Sequence, residues 1–197
     1  MSDNWSAYRD YWDNHARSVG AEQAVTGLGD DYDQVIGDVL RQVAPREVIN
    51  IFDFGCGAGK TYPIARKMFP NAYYQGYDIS AELIRYCREK YPFGEFEVLR
   101  HKELPFADEW IDLLICHSVL THIFPDDAME YLHEIKRVLS STGRASISIH
   151  TDTTLNWQGN IARIDYRPDY FEGMLADAGL TIYNRIEGNQ LVYGVGK

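Results

Sequence analysis

The chain has 197 residues, 45% of them hydrophobic, and a formal net charge of −10 from 29 acidic and 19 basic residues. This length and apolar content provide for one well-buried domain, which we predict over residues 1–197, and exclude two domains of ordinary size. Because the basic residues form no cluster and the average field would repel a phosphate backbone, we expect no nucleic-acid partner.

The first predicted element is an aromatic, charged segment at residues 1–30. Within it, residues 5–19 are expected to form a helix that ends near Gly20. Four large aromatic residues precede the first predicted strand, namely Trp5, Tyr8, Tyr11 and Trp12. Because aromatic side chains commonly line small-molecule pockets, we predict that this segment closes over a ligand as a lid. Ordinary packing of an N-terminal helix is the alternative.

Strands and helices then alternate, which predicts a mainly parallel sheet with helices on both faces. Further helices are predicted at residues 35–43, 60–69, from Ser80 onward, 126–139 and 168–178. Strands are predicted at residues 48–54, 72–77, 95–99, 111–116, 144–150, 180–187 and 190–196. The last two strands are separated by a Gly188-Asn189 turn and form an antiparallel hairpin. A ligand is expected at the carboxyl ends of the strands, where the strand order reverses.

The most informative segment is the acidic, glycine-rich loop after the first predicted strand, Asp53-Phe54-Gly55-Cys56-Gly57-Ala58-Gly59. Glycine adopts backbone conformations that other residues avoid, so this loop can approach a ligand closely. Asp78 ends the second predicted strand, at about the distance at which a ribose-binding carboxylate follows such a loop in a βαβ unit. Together the two features are typical of a site for a cofactor that carries a nucleoside.

Two better-known glycine motifs do not fit this spacing. The dinucleotide fingerprint needs a glycine in place of Lys60, and a P-loop ending at Gly59-Lys60-Thr61 needs a glycine in place of Phe54. The remaining pattern, Asp-x-Gly-x-Gly-x-Gly, resembles motif I of the class I S-adenosylmethionine (SAM)-dependent methyltransferases. Asp78 then matches the ribose-binding acid of that family. A nucleotide-sugar or NAD-dependent α/β enzyme is an alternative that the glycine spacing disfavours.

Two later segments extend the resemblance over residues 48–197. Residues 104–114 resemble the family's entry into its fourth strand, and residues 135–144 resemble its next helix, glycine turn and fifth strand. The resemblance implies a seven-stranded, mostly parallel Rossmann-like sheet with helices on both faces and a C-terminal antiparallel hairpin. It also implies SAM as the cofactor and S-adenosylhomocysteine (SAH) as the product.

The resemblance further implies which residues bind the cofactor. Asp78 would accept hydrogen bonds from both ribose hydroxyls, and Asp53 would brace the glycine loop through backbone N–H groups. Gly55 and Gly57 would let the loop pass under the methionine moiety. The full predicted set is Asp53, Gly55, Cys56, Gly57, Asp78, Ile79, His101, Lys102, Glu103 and His117, and no metal ligands are predicted.

The adenine contacts depart from the family pattern. Four residues before Leu104 the family often has an aspartate that accepts a hydrogen bond from the adenine amino group, and here that residue is Arg100. A guanidinium cannot accept a hydrogen bond. The backbone N–H of His101 or Lys102 and the carboxylate of Glu103 are the replacements that we predict.

Histidines are the candidates for a general base, because imidazole titrates near neutral pH. His122, in the segment after the fourth strand, is the first candidate, and His150, at the end of the fifth strand, is the second. His117 is expected beside the methyl group and in contact with the cofactor through its backbone. A packed structural histidine is the alternative for His122. We expect His15 and His133 at the surface.

The acceptor pocket is predicted to combine the N-terminal aromatic residues, the segment after His122, and the loop at residues 151–167 with Trp157 and Tyr166. The sequence contains no large inserted cap domain, which favours a small or medium-sized acceptor. The predicted function is therefore transfer of a methyl group from SAM to an O, N or C atom of such an acceptor. A SAM-binding sensor or partner subunit without methyl transfer is the alternative.

The sequence predicts a cytoplasmic protein with no membrane partner. Cys56, Cys87 and Cys116 are an odd number of cysteines in or beside predicted core elements, which is typical of reduced thiols. The N-terminus, Met1-Ser2-Asp3-Asn4-Trp5, is polar and acidic, unlike a signal peptide. No apolar run approaches the roughly 20 residues that cross a bilayer as a helix.

Overall fold

The structure is a computed structural model that describes residues 4–25 and 32–197, in which helices alternate with strands. The helices are α1 (Trp5–Val19), α2 (Ala21–Ala24), α3 (Tyr32–Val43), α4 (Thr61–Met68), α5 (Ala81–Lys90), α6 (Pro125–Val138) and α7 (Pro168–Asp177). The strands are β1 (Asn50–Phe54), β2 (Tyr73–Asp78), β3 (Glu95–Val98), β4 (Ile111–Cys116), β5 (Leu139–Thr151), β6 (Trp157–Asn160), β7 (Arg163–Tyr166), β8 (Thr181–Ile186) and β9 (Leu191–Gly196). A short 3-10 helix, Leu120–His122, connects β4 towards α6.

The sheet has the predicted, mostly parallel architecture. Strands β3, β2, β1, β4 and β5 are adjacent in that order and parallel. Strand β9 pairs antiparallel with β5, and β8 pairs antiparallel with β9, so the predicted C-terminal hairpin is confirmed. From β1 the chain adds β2 and β3 on one side of the sheet, and it then adds β4 and β5 on the other side of β1. The strand order therefore reverses between β1 and β4, and a crevice opens at their carboxyl ends.

The described residues contain two strands more than the seven predicted. Strands β6 and β7 form an antiparallel hairpin in the segment that the sequence predicts as a loop. Strand β7 also pairs with the carboxyl end of β5, at His150 and Thr151. The hairpin escapes prediction because its strands are short and one contains Gly159 and Asn160, residues that are depleted in strands and typical of turns.

Apolar residues of the central strands alternate between the two faces of the sheet. Ile51 and Leu113 pack with residues of α3, α4 and α5, whereas Phe52 and Leu114 pack with residues of α6 and α7. Since successive side chains of a strand point to opposite faces, this is the arrangement expected for a parallel sheet buried on both sides. The packing fixes the carboxyl ends of β1, β2 and β4 relative to one another.

Helix α1 lies across the carboxyl edge of the sheet and is attached at both ends. Towards its C-terminal end, Asp13 accepts hydrogen bonds from the Ser80 hydroxyl at 2.6 Å and the Glu82 N–H at 3.3 Å. Towards its N-terminal end, the Tyr8 hydroxyl donates to Asp127 at 2.7 Å. The predicted helix at residues 5–19 is confirmed, while residues 1–3 and 26–30 of the predicted lid lie outside the described residues.

In the part of the chain that the structure describes, no helix combines the length and the apolar character needed to cross a membrane.

Candidate functional site

A cavity of about 320 Å³ lies at the carboxyl ends of the parallel strands, beneath α1. The structure brings many of the predicted site residues together in its wall, namely Gly55, Cys56, Asp78, Ile79, His117, His122 and His150. The other predicted residues are not among those that line it, namely Asp53, Gly57, His101, Lys102 and Glu103. The position matches the crevice at which doubly wound sheets bind ligands.

Asp78 ends β2 and is only 8% exposed. One carboxylate oxygen accepts a hydrogen bond from the Ser80 N–H, and the other accepts one from the Gly57 N–H, both at 2.9 Å. Burial raises the pKa of Asp78 to about 6, although these two N–H groups favour the charged form. A carboxylate has about four lone-pair sites, so Asp78 can accept further hydrogen bonds from hydroxyl groups of a ligand.

The glycine loop adopts a backbone that requires glycine. Gly55, Gly57 and Gly59 have φ values of 70°, 55° and 70°, in the left-handed region. A Cβ atom on Gly55 would lie 2.3 Å from a methyl carbon of Val119. The N–H groups of Gly55 and Cys56 both donate to the Tyr77 carbonyl, at 2.8 and 3.0 Å. The loop is therefore held against the end of β2, with its backbone facing the cavity.

Asp53 is buried in a different environment from the one predicted. Its carboxylate accepts a hydrogen bond from the Tyr74 hydroxyl and is hydrogen-bonded to the Thr61 side chain. Burial raises its pKa to about 7, against the effect of these two hydrogen bonds. The carboxylate that braces the glycine loop through a backbone N–H is instead Asp78, through Gly57.

The predicted adenine segment does not direct its side chains into the cavity. His101 and Glu103 are exposed, and the Lys102 ammonium pairs with Asp127 at 2.6 Å. Ile79, a predicted site residue, and Leu99 form the cavity wall at this side. The sequence analysis assigned no role to Leu99. The sequence did contain a signal for Leu99. It is an apolar residue at the carboxyl end of β3, and in the sheet only β2 separates β3 from β1, the strand before the glycine loop.

His122 is a neutral histidine with a defined tautomer. Its Nδ1 lies 3.2 Å from the Ile161 carbonyl oxygen, and a carbonyl can only accept, so the ring proton is on Nδ1 and the lone pair is on Nε2. The indole ring of Trp12 packs edge-on against the imidazole, with 4.7 Å between the ring centroids. Burial lowers the pKa of His122 to about 4. The neutral ring can therefore accept a hydrogen bond from a ligand through Nε2.

Two further cavity histidines, His117 and His150, are also kept neutral by burial. The Nε2 of His117 lies 2.7 Å from the Ser146 hydroxyl, while its Nδ1 is buried without a hydrogen-bond partner among the described residues. Burial lowers the pKa of His117 to about 4. Burial and then the nearby Arg163 lower the pKa of His150. Burial thus keeps these three imidazoles of the cavity uncharged, and they can form hydrogen bonds with polar groups of a ligand.

The N-terminal aromatic residues line the cavity as predicted, and His15 lines it as well. His15, which was expected at the surface, is half-buried, and its imidazole stacks on the Tyr11 ring with centroids 5.8 Å apart. Lys60 also reaches the wall, where its ammonium donates to the Val25 carbonyl at 2.7 Å. Residues from two ends of α1 and from the glycine loop therefore enclose the same space.

The segment at residues 151–167 contributes other side chains than predicted. Tyr166 is fully buried below the site, where its hydroxyl donates to the Ile123 carbonyl at 2.9 Å. Trp157 packs against Phe124 instead of lining the cavity. The turn of the β6–β7 hairpin brings Ala162 and Arg163 to the wall in their place. The difference follows from the hairpin, which turns the middle of the segment towards the crevice.

Gln190 is a polar cavity residue that the sequence analysis did not identify. It precedes β9, is 4% exposed, and faces Ser118 and His150. A single amide next to an otherwise apolar strand is the only sequence signal for it. No group of three His, Cys, Asp or Glu residues within residues 4–25 and 32–197 is arranged to hold a metal ion.

Comparisons with known proteins agree with this geometry. A family model described as a methyltransferase domain matches residues 52–147. A demethylmenaquinone methyltransferase of Chlorobaculum parvum is 28% identical over 145 residues, which are 72% of this chain and 59% of that protein. A fatty-acid O-methyltransferase of Mycolicibacterium smegmatis is 27% identical over 137 residues, which are 68% of this chain and 45% of that protein. The chain spans about half the length of these curated relatives.

A solved structure shares the fold over nearly the whole chain. The magnesium protoporphyrin IX methyltransferase of Synechocystis PCC 6803, which holds SAH, superposes with a TM-score of 0.71. The match covers 98% of this chain and 99% of that chain at 17% sequence identity. At this identity the likeness shows the common fold, and it agrees with the matches in sequence.

Proposed function

Because the chain belongs to the class I SAM-dependent methyltransferases, whose cofactor is SAM, we propose that it transfers the methyl group of SAM to an O, N or C atom of a small or medium-sized acceptor. The observation that carries the proposal is the Asp78 carboxylate, buried in the cavity wall and held by N–H groups of Gly57 and Ser80. It has the chemistry needed to bind two neighbouring hydroxyl groups.

The residues of the cavity fit SAM. Asp78 would hold the ribose hydroxyls, and the backbone at Gly55 and Cys56 would pass beside the methionine moiety. Ile79 and Leu99 would flank the adenine ring with apolar surface. A cavity of about 320 Å³ lies at the lower end of the roughly 300–1,000 Å³ typical of ligand sites. Because cofactor and acceptor together need more room than this, α1 would have to shift when both bind.

SAM supplies an activated methyl group on a sulfonium. The protein itself therefore needs only to bind SAM and the acceptor, to exclude water and to align the acceptor with the methyl group. Alignment alone can contribute about 7–11 kcal/mol to the barrier reduction. Through Nε2, His122 would either remove a proton from the acceptor or orient the acceptor by a hydrogen bond. A base with a pKa of about 4 is weak at neutral pH, which favours the orienting role and an acceptor that is itself acidic.

The walls of the cavity favour an acceptor with a large apolar part. Trp5, Tyr8 and Trp12 line it from α1, and Ile123 and Tyr131 line it from below. The names of three matched methyltransferases give demethylmenaquinone, a fatty acid and magnesium protoporphyrin IX as their acceptors, all with extended apolar portions. The absence of a nucleic-acid partner belongs to the same proposal and is supported by the net charge of −10. A cytoplasmic location belongs to it as well and is supported by the free cysteines Cys56, Cys87 and Cys116.

Transfer of a labelled methyl group tests the proposal. The protein and SAM that carries a labelled methyl are incubated with fractions of a lysate from the native cell, and label is measured in the low-molecular-weight and protein fractions. We expect label in an organic-extractable small molecule. If SAH binds tightly and every fraction stays unlabelled, the chain is instead a SAM-binding sensor or partner subunit. Label in protein would exclude the small acceptor.

A further inference from the structure

A buried polar network closes one end of the cavity, where β4, β5 and β9 meet. The Gln190 amide oxygen accepts from the Ser148 hydroxyl at 2.5 Å, and its nitrogen donates to the Ser118 hydroxyl oxygen at 2.7 Å. The Ser148 oxygen in turn accepts from the Ser118 N–H at 2.8 Å. Gln190 and Ser148 are buried, so the network is fixed by the sheet and not by solvent. A buried polar group in such a network has to be satisfied, which restricts its orientation.

The network holds Ser118 in a backbone conformation that serine rarely adopts. Its φ is 57°, in the left-handed region, and this is one of two such non-glycine residues among those described. Residues held in this region cluster at functional sites, where the surrounding structure determines them. At Ser118 the determining contacts are the bonds to Ser148 and Gln190.

The direction of these hydrogen bonds decides what the cavity offers to a ligand. Because the Ser118 oxygen receives the Gln190 N–H, the hydroxyl hydrogen of Ser118 remains for a further acceptor, and its side chain lines the cavity. The second Gln190 N–H points to Nε2 of His150 at 3.4 Å, which places the proton of that ring on Nδ1. His122 lies one turn beyond Ser118 in the same segment and presents a lone pair on Nε2. The same end of the cavity therefore carries a donor and an acceptor.

We propose that Gln190 is a positioning residue that fixes the Ser118 hydroxyl as a hydrogen-bond donor, so that the site selects a flat apolar acceptor with a hydroxyl next to a second oxygen. The hydroxyl of the acceptor donates to Nε2 of His122, and the neighbouring oxygen accepts from Ser118. Trp5 and Trp12 pack against the apolar body. This inference rests on the proposed function and concerns recognition of the acceptor.

The first test measures binding of two naphthalene probes to the SAH-loaded protein by calorimetry. Naphthalene-2,3-diol has two neighbouring oxygens, and 2-naphthol has one. We expect the diol to bind wild type about tenfold more tightly, the effect of one well-placed hydrogen bond. Ser118→Gly, which keeps the left-handed backbone without strain and removes the CH2OH side chain, should abolish this difference and leave 2-naphthol binding unchanged.

The second test reverses the direction of the hydrogen bond between residue 190 and the Ser118 hydroxyl. In Gln190→Glu a carboxylate accepts from Ser118, so the hydroxyl hydrogen turns away from the cavity and the preference for the diol should be lost. Gln42→Glu makes the same chemical change on the exposed surface of α3 and should keep the preference. Nitrogen-15 NMR of wild type should show the His150 proton on Nδ1, and Gln190→Glu should move it to Nε2.

The outcomes separate the inference from the proposed function. Wild type that does not bind SAH would contradict the proposed function. Wild type that binds SAH but fails to prefer the diol would overturn the inference alone. A His150 proton on Nε2 in wild type, or a preference retained in Ser118→Gly, would overturn it as well.

Discussion

At the scale of single residues, Asp78 combines burial with two backbone donors, from Gly57 and Ser80. We expect Asp78→Asn to weaken SAH binding by about 2–4 kcal/mol, because the amide loses the charge in both hydrogen bonds to the ribose. Asp53→Asn is the matched control, since Asp53 is also buried, near the end of β1, but does not line the cavity. Calorimetry should show a much smaller loss for the control, and equal losses would contradict the assignment of Asp78.

The raised pKa of Asp78 gives a pH dependence with a definite sign. In the folded protein, burial raises the pKa of Asp78 from the ordinary value of 3.8 to about 6. The contribution of this group to stability is therefore fully present below pH 3.8 and is lost as pH rises through about 6. Ribose hydroxyls donate to the charged form, so binding should release a proton. We expect SAH affinity to rise from pH 5 to 7.5 in wild type and to stay level in Asp78→Asn. Calorimetry in two buffers with different ionisation enthalpies measures the proton release, and its absence in wild type would refute this coupling.

The cavity histidines act in the opposite direction on stability. Burial lowers the pKa values of His117 and His122 to about 4, so their contribution to stability is full above 6.5 and is lost as pH falls through 4. The contributions of Asp78 and Asp53 to the stability of the protein decrease as pH rises, over an overlapping pH range. The two effects partly cancel, and ligand affinity is therefore a more specific readout of the site than the pH dependence of unfolding.

His122 can be tested once an acceptor is known. If it removes a proton, His122→Ala should lower turnover by about 10²–10⁴-fold with SAH affinity close to that of wild type. If it orients the acceptor, His122→Asn should recover part of the activity. Since its pKa is about 4, the rate of wild type should show no inflection near pH 6.5 from this residue. Parallel losses of stability and SAH binding would instead mark a packed structural histidine.

At the scale of elements, α1 is held over the site by polar contacts as well as by its aromatic side chains, of which Trp12 packs against His122. Asp127 joins it to α6 by accepting from Asn4 at 3.0 Å, from Tyr8 at 2.7 Å and from Lys102 at 2.6 Å. Asp127→Ala should destabilise the protein by about 1–3 kcal/mol, because it leaves buried donors without a partner. Hydrogen exchange should then increase at residues 5–19.

Glu130→Ala is the control for this change. Glu130 is an exposed partner of the same Lys102, so its loss should alter stability by no more than about 0.5 kcal/mol and leave exchange in α1 unchanged. Unaltered protection of α1 in Asp127→Ala would show that the aromatic residues alone hold the helix. The same lid proposal predicts that a protein without residues 1–20 stays folded and binds SAH less tightly.

Sequence reasoning succeeded for elements whose signal is local. The glycine loop, Asp78 and the alternating strands are each defined by neighbouring residues, and the structure places them as predicted. It failed where distant pairing decides the position. Gln190 reaches Ser118 only because β9 inserts beside β5, and the β6–β7 hairpin forms only because β7 finds the end of β5. Neither pairing leaves a periodic pattern in the chain.

At the scale of the whole molecule, the topology explains why the site lies at one edge of the sheet. The reversal of strand order between β1 and β4 leaves a crevice that parallel strands open at their carboxyl ends. The first half of the chain supplies the glycine loop and Asp78, and the second half supplies His117, His122, His150 and the Gln190 network. Helix α1 covers the crevice from outside. Under the proposed function, the two halves of the chain would contribute the cofactor site and the acceptor site, which would meet under α1.

The identity of the cofactor determines the chemistry of the site, and titration of the purified protein with SAH and with NAD tests it. We expect SAH to bind at one site per chain and to raise the melting temperature as its concentration increases, because a ligand selective for the folded state stabilises that state. NAD should neither bind nor stabilise, since the loop lacks a glycine in place of Lys60. Binding of NAD without binding of SAH would contradict the account.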